Sequence, residues 1–291
     1  MLALALPVPL LGAAPAPVRI TIVDGAAVVI DGARRFTATE GQALGERALI
    51  ETGPGAVLLR LEWPDGSAAD LGPATRVMVS PGAGPGAVAA SGARPPAFYL
   101  LQGWAKQTAA ATQPPLGLQT PSLRVDVRQG AVLAFESAAE AFLFVESGSA
   151  TASARGVVAA PQSSAPVALA GGAVYHRADA GWQAQGRASP AQLQRVPPGL
   201  RTSLPLRGAR FAGKAVVASP LPAPGYPELQ PWLSAERALR QDFPRRFGAL
   251  AADPAFRKGL QDHLAAHPEW SAVLHPERTR APPPARAATS R

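Results

Sequence analysis

Between Val18 and about Val145 the chain repeats one device: a short run of β-forming residues, apolar alternating with polar, closed by a glycine turn. Val18, Ile20 and Ile22 alternate with Arg19 and Thr21 before Asp24-Gly25 turns the chain into Ala26–Ile30, and Asp31-Gly32 turns it again. Val57, Leu59, Leu61 and Trp63 alternate with Arg60 and Glu62 as far as Pro64-Asp65-Gly66. Leu123, Val125 and Val127 alternate with Arg124, Asp126 and Arg128 as far as Gln129-Gly130. A period of two sends successive side chains to opposite faces, so each run is a strand with one apolar face. Turns every ~8–12 residues then leave an all-β sandwich, barrel or solenoid. Ala141–Val145 is apolar at every position, which predicts a strand covered on both faces. A loose strand–glycine–strand repeat at Val18–Ile30, Leu123–Phe135 and Phe142–Ala152 has no fixed period, so sandwich and two-layer solenoid both stay open.

The 32 prolines and 28 glycines among 291 residues suit neither helix nor strand interiors and belong in turns and connectors. Pro81–Pro96, Gln107–Gly117 and Ala159–Pro166 read as loops, and Val167–Gly186 as a hairpin packed through Tyr175 and Trp182. Residues 188–225 read as a Pro-rich connector laid over the surface. From Glu228 the apolar period changes to three and four: Trp232 and Leu233, Leu239 and Phe243, Phe247 and Leu250. Asp253-Pro254 supplies an N-cap and a proline for the first helical position, Phe256, Leu260 and Leu264 make one stripe, and His267-Pro268 ends it. About three short helices follow, each marginal alone. The expected organisation is mainly β: a signal-peptide-like segment at 1–16, a β-rich domain at 18–187, the connector, a small α-helical domain at 226–275 and a disordered basic tail at 276–291.

Met1–Ala16 is a short apolar run ending in small residues, as in a secretory signal, although it lacks basic residues at its start and is interrupted by Pro7 and Pro9. Export to the periplasm is the expectation, and no later window has the roughly 18 uninterrupted apolar residues of a membrane span. The absence of cysteine excludes disulfides, thiol catalysis and thiolate metal sites. The net charge of +8 is carried almost entirely by arginine. Apart from Arg34-Arg35 and Arg245-Arg246 the arginines are scattered, which argues against a nucleic-acid surface.

Little of the sequence resembles catalytic machinery. His263 and His267 stand at metal-ligand spacing with His275 nearby, but HLAAH lacks the glutamate that would serve as base in HExxH. Both flank an apolar stripe, and His267 falls at a helix C-terminus, so structural roles are expected, with no metal and no cofactor. No GxSxG, SxxK or GxxxxGK[ST] occurs. Glu62, Asp65 and Asp70 lie close enough in sequence to suggest paired acid–base work, but Asp65-Gly66 is better explained as a tight turn. Trp63 and Trp104, near strand ends, are candidates for a binding platform, with packing the commoner role. Gly25, Gly41, Gly53, Gly66, Gly72, Gly103 and Gly130 read as turn residues.

In order, the chain carries Asp24-Gly25; Glu40-Gly41-Gln42-Ala43-Leu44; Glu51-Thr52-Gly53; Asp65-Gly66-Ser67; Leu71-Gly72-Pro73-Ala74-Thr75; Leu100-Leu101-Gln102-Gly103; Thr120-Pro121; and Gly130. Over roughly Val18–Ala152 this succession resembles the FecR domain. The resemblance implies a periplasmic β-rich module of sandwich or solenoid type that, in the best-known members, relays a signal from an outer-membrane receptor to an anti-sigma segment. This sequence departs from the pattern at Gly45-Glu46, where Gly-Asp is usual, and at Gly130, which alanine follows. Anti-sigma helices and a following span are not recognised, so transmembrane signalling is not expected. The expected function is a non-enzymatic interaction module of the bacterial envelope, docking on an envelope protein. The alternatives are a basic binder of peptidoglycan or acidic lipid and a metal-dependent hydrolase using His263 and His267.

Overall fold

The computed structural model describes residues 17–80, 96–110, 116–155, 165–178 and 181–276. The expected signal segment, most of the Pro81–Pro96 and Ala159–Pro166 loops and the basic tail lie outside the described residues. In chain order the strands are β1 (Arg19–Asp24), β2 (Ala27–Asp31), β3 (Arg34–Thr37), β4 (Leu49–Thr52), β5 (Leu58–Glu62), β6 (Ala68–Leu71) and β7 (Arg76–Val79). Then come β8 (Phe98–Ala109), β9 (Leu116–Gln119), β10 (Leu123–Glu136), β11 (Ala141–Ala154), β12 (Val167–Ala170), β13 (Val174–Ala178), β14 (Gly181–Gln185) and, after the helix α1 (Pro190–Gln194), β15 (Pro220–Leu221).

These strands share hydrogen bonds in a single 15-stranded sheet. All pairings are antiparallel except β8 with β9. The sheet doubles over because β8, β10 and β11 each run through both of its layers. Residues 98–102 of β8 pair with β7, while 103–109 pair with β10 and, in part, β6. The 124–127 half of β10 pairs with β9 and the 130–136 half with β8. One layer therefore reads β15-β3-β2-β4-β7-β8-β9-β10-β11-β12, and the other β1-β5-β6-β8-β10-β11-β13-β14. Between them lies the main core, to which Val29, Ile50 and Leu100 come from the first layer and Leu61, Leu143 and Val145 from the second.

The loose repeat of the sequence acquires a physical meaning in this arrangement. Gly130 and Gly103 are not turns between strands, as the sequence suggested; they lie inside β10 and β8, at the corners where each strand passes from one layer to the other. Their φ values of 86° and 96° turn the backbone where a side chain is strained. A Cβ on Gly103 would stand 2.5 Å from the Cα of Thr75. Gly148, also at positive φ, occupies a further corner of the same kind inside β11, whereas Gly25 turns the chain between β1 and β2.

Each outer face is covered. Ile30, Leu49, Met78 and Tyr99 of the first layer pack under the helical segment, against Trp232, Phe243, Phe256 and Trp270. That segment has five short α-helices rather than about three: α2 (Tyr226–Leu233), α3 (Arg237–Arg240), α4 (Phe243–Phe247), α5 (Pro254–Asp262) and α6 (Ser271–Leu274). Prolines at 244, 254 and 268 remove donors where α4, α5 and the turn before α6 begin, and so fragment the run. The Asp253 carboxylate caps α5 by accepting from the Phe256 amide at 2.7 Å. Polar clamps fix the helices to the sheet: Trp232 Nε1 donates to Glu51 at 2.9 Å, Arg47 Nη2 to Asp242 at 2.9 Å, and Arg155 pairs with Glu236 at 3.2 Å.

The connector covers the second layer. Val196 and Leu200 close over Leu58, Trp104, Leu133 and Phe142. Further along, it lies on a buried charged row. Arg60 Nε and Nη2 donate to Asp70 at 2.6 and 2.9 Å, and Arg60 Nη1 donates to the carbonyls of Leu204 and Pro205. Glu62 accepts from Thr21 Oγ1 and from the amides of Arg207 and Gly208, and Lys106 pairs with Glu146 at 2.6 Å. At its end Pro220–Leu221 adds to β3.

Two expectations are corrected here. The hairpin is β13–β14, shorter than Val167–Gly186, because Val167–Ala170 pairs instead with β11 in the first layer. The Gln107–Gly117 loop is also shorter: Gln107 is buried in β8 with its amide donating to the Leu116 carbonyl at 2.9 Å, and Leu116–Gly117 begin β9.

Candidate functional site

The motif residues gather along one long edge of the doubled sheet. Asp24, Gly25, Thr52, Gly53, Gly72, Gly103, Thr120 and Pro121 all lie there, where the chain moves between layers. Buried threonines stitch successive turns together. Thr52 Oγ1 donates to the Gly72 carbonyl at 2.6 Å and accepts from the Thr75 amide at 2.9 Å. Thr75 Oγ1 accepts from the Trp104 amide at 3.0 Å. Thr120 Oγ1 donates to Glu136 at 2.5 Å and accepts from the Leu123 amide at 2.9 Å. A threonine hydroxyl both donates and accepts, so one buried residue satisfies backbone from two turns. These motifs are therefore architectural. Asp65 and Gly66 lie at the opposite edge, where the Asp65 carboxylate accepts from the Ser67 amide at 2.9 Å. Gly130 shares that edge, and Gly41 sits against Phe211 and Val216 beside β1.

Alongside the threonine column runs a cleft of about 780 Å³. Trp104, Phe135 and Leu101 form its apolar wall, Pro54, Pro73 and Pro121 its rim, and Pro231 of α2 closes it from the helical side. Trp104 is only 9% exposed, 4.7 Å centroid to centroid from Phe135, so it packs as a wall and not as an open platform. Trp63 likewise packs toward the core, against Phe98. At the polar end of the cleft Arg177 Nη2 donates to the carbonyls of Ser137 and Ala138. Glu136 lies beneath, its carboxylate accepting from the hydroxyls of Thr120 and Ser122. Burial pushes the Glu136 carboxyl up from its ordinary value, more than those two hydroxyls pull it down. Thr120→Val is expected to cost about 1–3 kcal/mol, since it leaves buried partners unmet; urea unfolding of the two proteins checks it.

Sequence reasoning singled out Trp104, Pro121 and Gly103 and quoted Leu101 within the same motif, but gave no site role to Phe135, Glu136, Arg177 or Pro231. Glu136 ends a strand that reads apolar from Ala131 to Phe135, and a carboxylate at the end of such a run was the available signal. Arg177 and Pro231 come from distant segments, and nothing local marks them.

The histidine pair is arranged for packing. The i, i+4 spacing presumes a helix through His267, but α5 ends at Asp262 and His263 leaves helical geometry at φ −119°. His263 stacks on the Tyr226 ring at 5.3 Å, its Nδ1 on the Gly259 carbonyl, while His267 Nε2 meets Tyr226 Oη at 2.9 Å. Among the described residues no group of three His, Asp or Glu is placed to hold a metal ion. Glu62 and Asp70 are committed to the buried row described above.

Burial holds the His267 imidazole below its ordinary value of 6.5, with Glu269 opposing and Arg240 assisting. A depressed histidine means that the unfolded chain binds more protons than the folded one just below pH 6.5. Stability contributed by neutral His267 is therefore present above that pH and is lost as pH falls below it. His267→Gln is expected to flatten this acid slope in a plot of melting temperature against pH.

The fold and cleft together define a two-layer β-protein faced by helices on one side and by its own connector on the other. No protein-family model and no curated protein matches the chain. Two crystal structures, both described as a "putative anti-sigma factor" from Parabacteroides distasonis, align with it at TM-scores of 0.37 and 0.36 and 12% identity. The alignments cover 48% of this chain and 59% of theirs. A likeness of that size says nothing about what this chain does. No helix among the described residues is long and apolar enough to cross a membrane.

Proposed function

We propose that this chain is a non-enzymatic interaction module of the bacterial envelope, which docks on a protein partner through the cleft along the threonine-stitched edge. The observation that supports this most is the cleft itself: an apolar wall of Trp104, Phe135 and Leu101 inside a proline rim, held by fully bonded corners. Such a surface suits apolar side chains of a partner segment, with Gln102 and Arg177 at hand to orient it. The polymer-binding reading has less support. Arg47, Arg60, Arg76, Arg155, Arg195 and Arg240 are each paired with a carboxylate, and the remaining arginines are scattered along the sequence and not gathered in one run.

The test is site-specific photo-cross-linking in cells, with the probe at Gln102 or Ser137 in the cleft and at Gln194 as a control. A discrete protein adduct from the cleft positions alone, in the periplasmic fraction, supports the reading. Adducts that do not depend on position, or a protein confined to the cytoplasm, overturn it. Ala138→Arg, at an exposed turn position on the cleft rim, is expected to abolish the adduct while changing stability by no more than about 0.5 kcal/mol.

A further inference from the structure

Arg245 and Arg246 stand side by side in the sequence, and neither the fold nor the cleft uses the second of them. Both lie in α4, where it rests on the turn between β2 and β3: a Cβ on Gly32 would stand 3.5 Å from the Arg246 carbonyl oxygen. Arg47, in the turn before β4, comes up beside them.

One carboxylate serves two of these guanidinium groups. Asp242 Oδ1 accepts from Arg47 Nη2 at 2.9 Å, and its Oδ2 lies 3.8 Å from Arg245 Nη2. Arg47 Nη2 also donates to the Leu239 carbonyl at 2.8 Å. The Arg47 backbone sits at φ 61°, a region that residues other than glycine rarely adopt, and strain of this kind collects at functional sites.

Arg246 is left over. No carboxylate forms an ion pair with it among the described residues. Its guanidinium lies half-buried over the Phe247 ring, 5.4 Å from the centroid, and its Nη1 is enclosed by the protein without a hydrogen-bond partner. Burial holds the Arg246 guanidinium below its ordinary value, and Arg47 and Arg245 add to this by like-charge repulsion, while Asp242 and Asp31 oppose it from outside ion-pair distance. The charges of Arg47, Arg245 and Arg246 exceed those of Asp242 and Asp31 by one. A guanidinium does not lose its proton at any ordinary pH, so only an anion can balance it.

We propose that Arg246, with Arg47 and Arg245 beside it, binds a phosphate group. The class of anion follows from the donors. A planar carboxylate offers two oxygens in one plane, enough for one arginine fork, whereas a phosphate presents oxygens on every side, so guanidinium groups from separate elements can share it. The charge of +8 draws such anions toward the chain. A phosphodiester in a lipid headgroup and a phosphate free in solution share this chemistry. The site is one group wide, and it does not rest on the cleft or on any partner for it.

The experiment is calorimetric titration of the intact protein in chloride buffer at fixed ionic strength, with inorganic phosphate, glycerophosphoglycerol and acetate as probes. Co-sedimentation with vesicles of phosphatidylglycerol in phosphatidylcholine accompanies it. The wild type is expected to bind a phosphate probe at a single site, and acetate about tenfold more weakly. Arg246→Gln is expected to weaken phosphate binding about tenfold or more, the worth of one charge-assisted hydrogen bond, with circular dichroism showing that it still folds. Arg246→Lys keeps the charge without the fork and is expected to fall between the two. Arg210→Gln removes the same charge from an exposed position on the connector and is expected to change nothing. Vesicle binding that falls with Arg246→Gln and not with Arg210→Gln assigns the phosphate to a lipid headgroup; phosphate binding without it assigns a phosphate in solution. No saturable heat with either phosphate probe, acetate matching phosphate, or an Arg246→Gln protein that binds as the wild type does overturns the proposal.

Discussion

Replacing Arg60 by alanine is expected to destabilise the protein by about 3–5 kcal/mol, because it strands a buried carboxylate. The Arg60 and Asp70 side chains are each 2% exposed and are joined by two short hydrogen bonds. Without the guanidinium, Asp70 keeps its desolvation cost and loses its main compensation. The carbonyls of Leu204 and Pro205 also lose their donor, so the connector is loosened in the same step. Burial already pushes the Asp70 carboxyl above its ordinary 3.8, against the pull of Arg60 and Lys106. A protonated Asp70 needs no cation, so the penalty for Arg60→Ala is expected to shrink as pH falls toward that of the protonated acid. The Arg60→Met, Asp70→Leu pair removes both charges and is expected to recover more than half of the loss. Urea midpoints of the wild type and the two variants at two pH values decide it; an Arg60→Ala protein within about 1 kcal/mol of wild type would mean that water reaches the site.

Gly130→Ala is expected to cost about 4 kcal/mol or more, at the upper end for single substitutions. Two terms add. The backbone at φ 86° disfavours any L side chain by roughly 1–2 kcal/mol. A Cβ there would also press on the Ser147 carbonyl, 2.6 Å from its carbon, and that backbone belongs to the neighbouring corner of β11 and has little freedom to move. Gly181→Ala separates the terms. Gly181 has φ 104°, and no atom lies within 4 Å of where its methyl group would stand, so only the conformational cost of about 1–2 kcal/mol should appear. Equal losses at both positions would show that the corner has room to yield.

Much of the fold was legible in the residues themselves. Alternation in Val57–Trp63 and Leu123–Arg128 announced β5 and β10, and the unbroken apolar run at Ala141–Val145 announced a strand covered on both faces. There Leu143 and Val145 enter the core while Phe142 and Phe144 pack beneath the connector. The shift of period after Glu228 announced the helical segment, and Asp253-Pro254 placed the start of α5. The glycines were legible as places where the chain changes direction. What escaped was that Gly103 and Gly130 change it inside a strand. A hairpin and a corner make the same local demand, a positive φ, and differ only in which strand the next residues join.

The candidate site was less legible, for a related reason. Thr52, Thr75 and Thr120 recur in the motifs, but each is explained by a carbonyl, amide or carboxylate more than a dozen residues away. The wall of the cleft brings Leu101 and Phe135 together with Pro231 of a different segment. The same holds for Arg60, Glu62, Asp70 and Lys106, whose alternation marks a two-faced strand but not what covers its polar face.

By itself the sequence determined the period of each segment, the places where the backbone must turn, and the exclusion of every chemistry that needs a thiol. These depend on a residue and its near neighbours, through side-chain direction and allowed φ. Only the tertiary structure decided which polar residues are buried, which strands lie at the edges of the sheet among the described residues, and where a cleft forms. Those are properties of surfaces meeting across long sequence separations, and a charge such as Arg60 reads the same in water or in a core until its partner is in place.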